Sequence, residues 1–171
     1  MDVAKSTRHA KITGDFGEGL ALYWLSKHGF ECARIDHAGI DLIARHPTKK
    51  ILLGISVKSR SRTPGTEATS LLIERAQFER AREVCEKFLC EPYFALVIDA
   101  GGKVYLYILP MTILLAQLGG NKTVNWKMSE AAMLTYRRNP EIMCVEMLYS
   151  QHSWGALASR LEPTPLQSQI L

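Results

Sequence analysis

A chain of 171 residues, 47% apolar and 22% charged, has the composition of one globular domain with a sizeable core and excludes a largely disordered polymer. No uninterrupted apolar run approaches the ~18 residues of a membrane-spanning helix. The net charge of +4 is unevenly spread: residues 1–62 hold 11 of the 21 Lys/Arg but 6 of the 17 Asp/Glu, so an anionic partner, nucleic acid first among them, belongs at that end if anywhere.

The four cysteines, Cys32, Cys85, Cys90 and Cys144, form no C-x-x-C pair and stand in apolar neighbourhoods, which suits free thiols in a reducing cytosol. The opening MDVAKSTRHAK lacks the apolar centre of a signal peptide, so the expectation is a soluble cytoplasmic protein without a membrane partner.

In chain order, Thr13 is the expected cap of a helix over residues 14–28, which Gly29 ends. Phe16, Leu20 and Trp24 give it an apolar face, and Glu18 lies beside that face rather than opposite it. Three strands follow at 30–35, 39–44 and 51–59, the last two joined by RHPTKK. SRTPGTEATS reads as a loop, and the spacing of Ala76, Phe78, Ala81, Cys85 and Phe88 predicts a second helix over about 74–89.

Strands at 93–99 and 103–109 flank the turn AGG. MTILLAQL and SEAAMLTYRRN are expected as short helices, EIMCVEML as a late strand and SWGALASRL as a last helical piece. Residues 1–160 are expected to form a single domain, with 161–171 a loose tail. Antiparallel strands followed by a crossover helix imply an α/β fold with a mixed sheet flanked by helices.

Asp41 and Lys58 stand inside otherwise apolar strands, where an unpartnered charge is costly. If those strands are neighbours, Asp41, Ser56 and Lys58 meet at one end, and Glu18 can reach the same point. Two carboxylates and a lysine are what a hard divalent cation and a phosphodiester require. A second reading is structural: Glu18 and Lys58 form a buried ion pair, and Asp41 caps a turn. His37, four residues before Asp41, is a further candidate neighbour. Arg60 and Arg62 follow the lysine as phosphate contacts or as solubilising loop residues.

Through GDFGE (Gly14 to Glu18), GID (Gly39 to Asp41) and SVKS (Ser56 to Ser59), the chain resembles the PD-(D/E)xK nuclease superfamily. That superfamily includes restriction endonucleases, archaeal Holliday-junction resolvases and Mrr-like enzymes. The resemblance spans about residues 13–99 and implies a restriction-endonuclease-like αβββαβ core. It also implies Mg²⁺ or Mn²⁺ as cofactor, DNA (duplex or branched) as partner, and a homodimer able to cut two strands. Asp41, Glu18 and Lys58 would then be catalytic, the two carboxylates as metal ligands.

One position departs from the pattern: Ser56 stands where an acidic residue or glutamine precedes the lysine by two. A hydroxyl is a weaker Mg²⁺ ligand than a carboxylate. Glu74, at the start of the second helix, is the candidate replacement ligand, with Glu67 behind it. The alternative is a catalytically inactive nuclease fold that binds nucleic acid or serves as a subunit of a complex.

Overall fold

The computed structural model describes residues 5–118, 121–150 and 152, so the expectations for SWGALASRL and the tail lie outside the described residues. The chain begins with α1 (His9–Lys27), followed by β1 (Glu31–His37), β2 (Ile40–Arg45) and β3 (Leu52–Ser61). Then come β4 (Leu71–Glu74), α2 (Arg75–Phe88), β5 (Glu91–Ala100) and β6 (Lys103–Pro110). The order ends with α3 (Met111–Leu118), β7 (Thr123–Trp126), α4 (Glu130–Arg138) and β8 (Met143–Leu148). Among the described residues no helix is long and apolar enough to cross a membrane.

Six strands form one sheet in the order β1-β2-β3-β5-β6-β8. β3 and β5 run parallel, as the crossover through α2 requires, and the other neighbours are antiparallel. The result is a mixed sheet with helices on both faces. Phe94, Leu96 and Ile98 of β5 enter the core shared with α2, α3 and α4, while Ala95 and Val97 enter the core under α1. β5 is thus buried on both faces, and its apolar run lacks an alternating polar side. Gly101 (φ 62°) and Gly102 (φ 80°) form the two-residue turn to β6, where both positions need left-handed backbone.

One local expectation differs from the structure, and two short strands were not foreseen. α1 starts at His9, and Thr13 does not cap it: its hydroxyl donates back to the His9 carbonyl inside the helix at 2.8 Å. LLIE is a strand, β4, which pairs with β7 from Leu71↔Trp126 to Glu74↔Thr123 in a separate two-stranded sheet. TVNW, to which no element was assigned from sequence, is that partner; Trp126 stacks on Tyr136 at 3.8 Å and meets Tyr107 edge-on, fixing the small sheet to the α2-side core.

Two glycines set how closely the helices approach β3. A Cβ on Gly17 would lie 1.8 Å from Ser59 Oγ, so α1 crosses the sheet where neither surface has bulk. On the opposite face, a Cβ on Gly54 would lie 2.5 Å from the sulfurs of both Cys85 and Cys90. Gly54→Ala should therefore destabilise the protein by about 1–3 kcal/mol through overpacking, read as a lowered Tm. An unchanged Tm would mean that α2 yields freely at this point.

Candidate active site

The backbone ladder between β2 and β3 runs from Arg45↔Leu52 to Leu42↔Ile55 and stops there. One residue further, the side chain of Asp41 takes over: Oδ2 accepts the Val57 N–H at 2.6 Å. A strand donor that would otherwise lack a partner is satisfied by a carboxylate, which is held half-buried where the two strands separate. β3 continues past this point beside β5 alone, with Lys58 opposite Leu96.

Leu53, Ile55 and Val57 pack in the α1-side core, so by the strand period Gly54, Ser56 and Lys58 share the face toward α2. Burial pushes the Lys58 ammonium below its ordinary pKa of 10.5; Asp41 opposes this, while Arg80 and Arg60 reinforce it. Glu18, half-buried on α1, has its carboxyl raised above 4.5 by burial first, then by Asp41 and Asp15; Arg34 and Lys11 pull the other way. Glu18 and Lys58 each sense Asp41, so charged groups from α1, β2 and β3 share one neighbourhood. Ser56, 2% exposed, is the one polar residue that is buried among those described.

Other sequence candidates lie differently. Glu74 is exposed at the junction of β4 and α2, its backbone engaged opposite Thr123, and it is not among the charges acting on Lys58 or Glu18. Glu67 packs against Gly101 at the β5–β6 turn. His37 faces the ring of Phe88 at 5.9 Å, near the far end of α2. Arg62 donates to the carbonyls of Thr69 (2.7 Å) and Ser70 (2.9 Å), closing the loop before β4. Arg60 is exposed, with one contact to the Ser59 carbonyl at 3.3 Å.

Arg80 and Arg34 escaped the sequence reading. Both are exposed, Arg80 acting on Lys58 and Arg34 on Glu18. The available signal was Gly39 in GID. A Cβ there would lie 2.8 Å from the Arg80 carbonyl, so this glycine admits α2 beside the strand carrying Asp41.

Among the described residues no group of three His, Cys, Asp or Glu side chains forms a cation cage. Asp41 and Glu18 are two carboxylates, the donor type and number that a Mg²⁺-like ion takes before completing its shell with water and phosphate oxygens.

The burial of Glu18, with the repulsion of Asp41 added to it, has a measurable consequence. A carboxyl whose folded pKa is raised destabilises the fold while ionised, and the penalty vanishes below its unfolded value of 4.5, where both states are protonated. Glu18→Gln should raise Tm at neutral pH, with the gain disappearing as pH falls below that value. A gain that persisted at acid pH would point to packing instead of charge.

No protein-family model matches the chain, and no curated protein matches its sequence. Among solved structures the chain is similar to Hjc, a Holliday junction resolvase from the archaeal hyperthermophile Archaeoglobus fulgidus, with TM-score 0.50 and 22% identity. The match covers 71% of this chain and 88% of the resolvase. With α1 across the sheet, three antiparallel strands and an α2 crossover to a parallel β5, the chain has a restriction-endonuclease-like fold.

Proposed function

We propose that this protein is a metal-dependent DNA endonuclease of the PD-(D/E)xK type, acting on duplex or branched DNA. The observation that carries this reading is the grouping of Glu18, Asp41 and Lys58 at the point where the β2–β3 ladder opens, with Asp41 pinned by the Val57 N–H. Asp41 and Glu18 would hold Mg²⁺ or Mn²⁺, which when bound supplies an acidified water and charge neutralisation at the phosphate.

Lys58 Nζ, its proton loosened by burial, is suited to orient the attacking water and accept its proton. Arg60, Arg80 and Arg34 surround these groups as phosphate contacts, whereas Arg62 is committed to its loop. A second copy of the chain would supply the second cut of a duplex or junction.

With Ser56 in place of an acid and Glu74 outside the group, the scissile phosphate becomes the third anionic donor. Metal affinity should then depend on DNA. Titration calorimetry with Mn²⁺ is expected to show binding tightened about tenfold or more by a non-cleavable phosphorothioate duplex. Equal affinity with and without DNA would mean that the protein already has a complete ligand set. In that titration Glu74→Gln should be silent.

The direct test is incubation with a linear duplex and a four-way junction, in Mg²⁺, Mn²⁺ or EDTA. Metal-dependent strand scission is expected. Binding without scission would favour the second reading, a nuclease fold retained for nucleic-acid binding or as a subunit, for which buried Ser56 in the acidic position is the supporting observation.

A further inference from the structure

We infer that Cys85 and Cys90 are a disulfide-forming pair, oxidised within one chain by peroxide. Both sulfurs lie 2.5 Å from the point where a Cβ on Gly54 would stand, so they are no farther apart than twice that distance.

The helix end brings them together. Leu89, at φ 53°, ends α2 in left-handed backbone; Cys90 N–H donates to the Cys85 carbonyl at 2.9 Å, and Leu89 N–H to that of Glu86 at 3.4 Å. This pair of bonds is the Schellman motif, whose two flanking side chains normally make an apolar contact. Here the contact is between two thiols. The missing side chain of Gly54 provides the space, two and four residues before Ser56 and Lys58 on the same face of β3.

The two cysteines are unequal. Cys85 is buried and its thiol donates to the Gly54 carbonyl at 3.8 Å; burial first, then the neighbouring Cys90, push it up to about 12. Cys90 is half-buried and is the one a small oxidant can reach. In the first step the Cys90 thiolate sulfur bonds to one peroxide oxygen, breaking the O–O bond, and hydroxide leaves as water after taking a proton. The resulting sulfenic acid is then attacked by Cys85 sulfur: the S–S bond forms, the S–O bond breaks, and hydroxide departs with the Cys85 proton as a second water. Two thiols are oxidised and one peroxide is reduced to two waters.

The test treats the reduced full chain with a small excess of hydrogen peroxide, alkylates residual thiols and maps the digest by mass spectrometry. Expected are loss of two hydrogens, a peptide linking Cys85 to Cys90, free Cys32 and Cys144, and reversal by dithiothreitol. Cys85→Ala should instead leave a Cys90 sulfenic acid that dimedone traps. A Cys32→Ala/Cys144→Ala double variant, which keeps the pair, should still form the link. The inference is overturned if Cys85 and Cys90 stay alkylatable while the other thiols oxidise, if Cys90 proceeds to sulfinic acid without linking, or if the linked cysteines belong to another pair or to two chains.

Discussion

Replacing Asp41 by asparagine should leave Tm nearly unchanged and reduce metal-dependent DNA cleavage about 10³-fold. The two parts of this result come from the two duties of one carboxylate. Oδ2 accepts the Val57 N–H at 2.6 Å, and an asparagine carbonyl can accept the same bond. The negative charge that would hold the metal is lost, and several kcal/mol of transition-state stabilisation correspond to a factor of that size. Asp41→Ala removes both. It should cost about 1–3 kcal/mol of stability in addition to activity, because a strand donor is left without its partner. Cleavage assays beside thermal melts of both variants distinguish the roles; an asparagine variant that cuts like the parent would place the chemistry elsewhere.

Lys58→Met should make the protein more stable and nearly inactive. The methionine roughly preserves the aliphatic volume while removing an ammonium that burial, Arg80 and Arg60 all penalise. Loss of a group that orients and deprotonates water costs about 10²-fold or more in cleavage. The stability gain has a defined pH dependence. Because the folded pKa of Lys58 lies below its unfolded value of 10.5, the unfolded chain holds a proton that the folded protein sheds between the two values. The parent therefore becomes more stable as pH rises through that window. The advantage of the methionine variant should be full below the window and shrink through it. A variant with lower Tm at neutral pH would mean that attraction to Asp41 outweighs burial.

The neighbourhood of Glu18, Asp41 and Lys58 was legible because charges inside apolar segments are costly enough to need a reason. Glycines mark the same region: Gly17, Gly39 and Gly54 each stand where a Cβ would meet an atom of another element. β4 and β7 left no such mark. Each has four residues, and their pairing joins Leu71 to Trp126 across the whole of α2, β5, β6 and α3, a contact that no local periodicity encodes. The first turn of α1 was hidden for another reason. Arg8 at its N-cap offers no side-chain cap bond, so nothing in the local chemistry announced the start. Glu74 was read as a replacement ligand because it precedes a helix; that its backbone is also held by the β4–β7 ladder was not legible in the sequence. Arg60 and Arg62 were equivalent in sequence; only the loop carbonyls of Thr69 and Ser70 separate them.

The most direct measurement is the anomalous scattering of Mn²⁺ in crystals grown with a non-cleavable DNA duplex. The expected result is a peak at coordination distance, about 2.1 Å, from the carboxylates of Asp41 and Glu18, with a DNA phosphate oxygen completing the set and Lys58 Nζ beside it. A fully occupied manganese site elsewhere, or DNA bound with no peak between Asp41 and Glu18, would contradict a metal-dependent nuclease centre at this place.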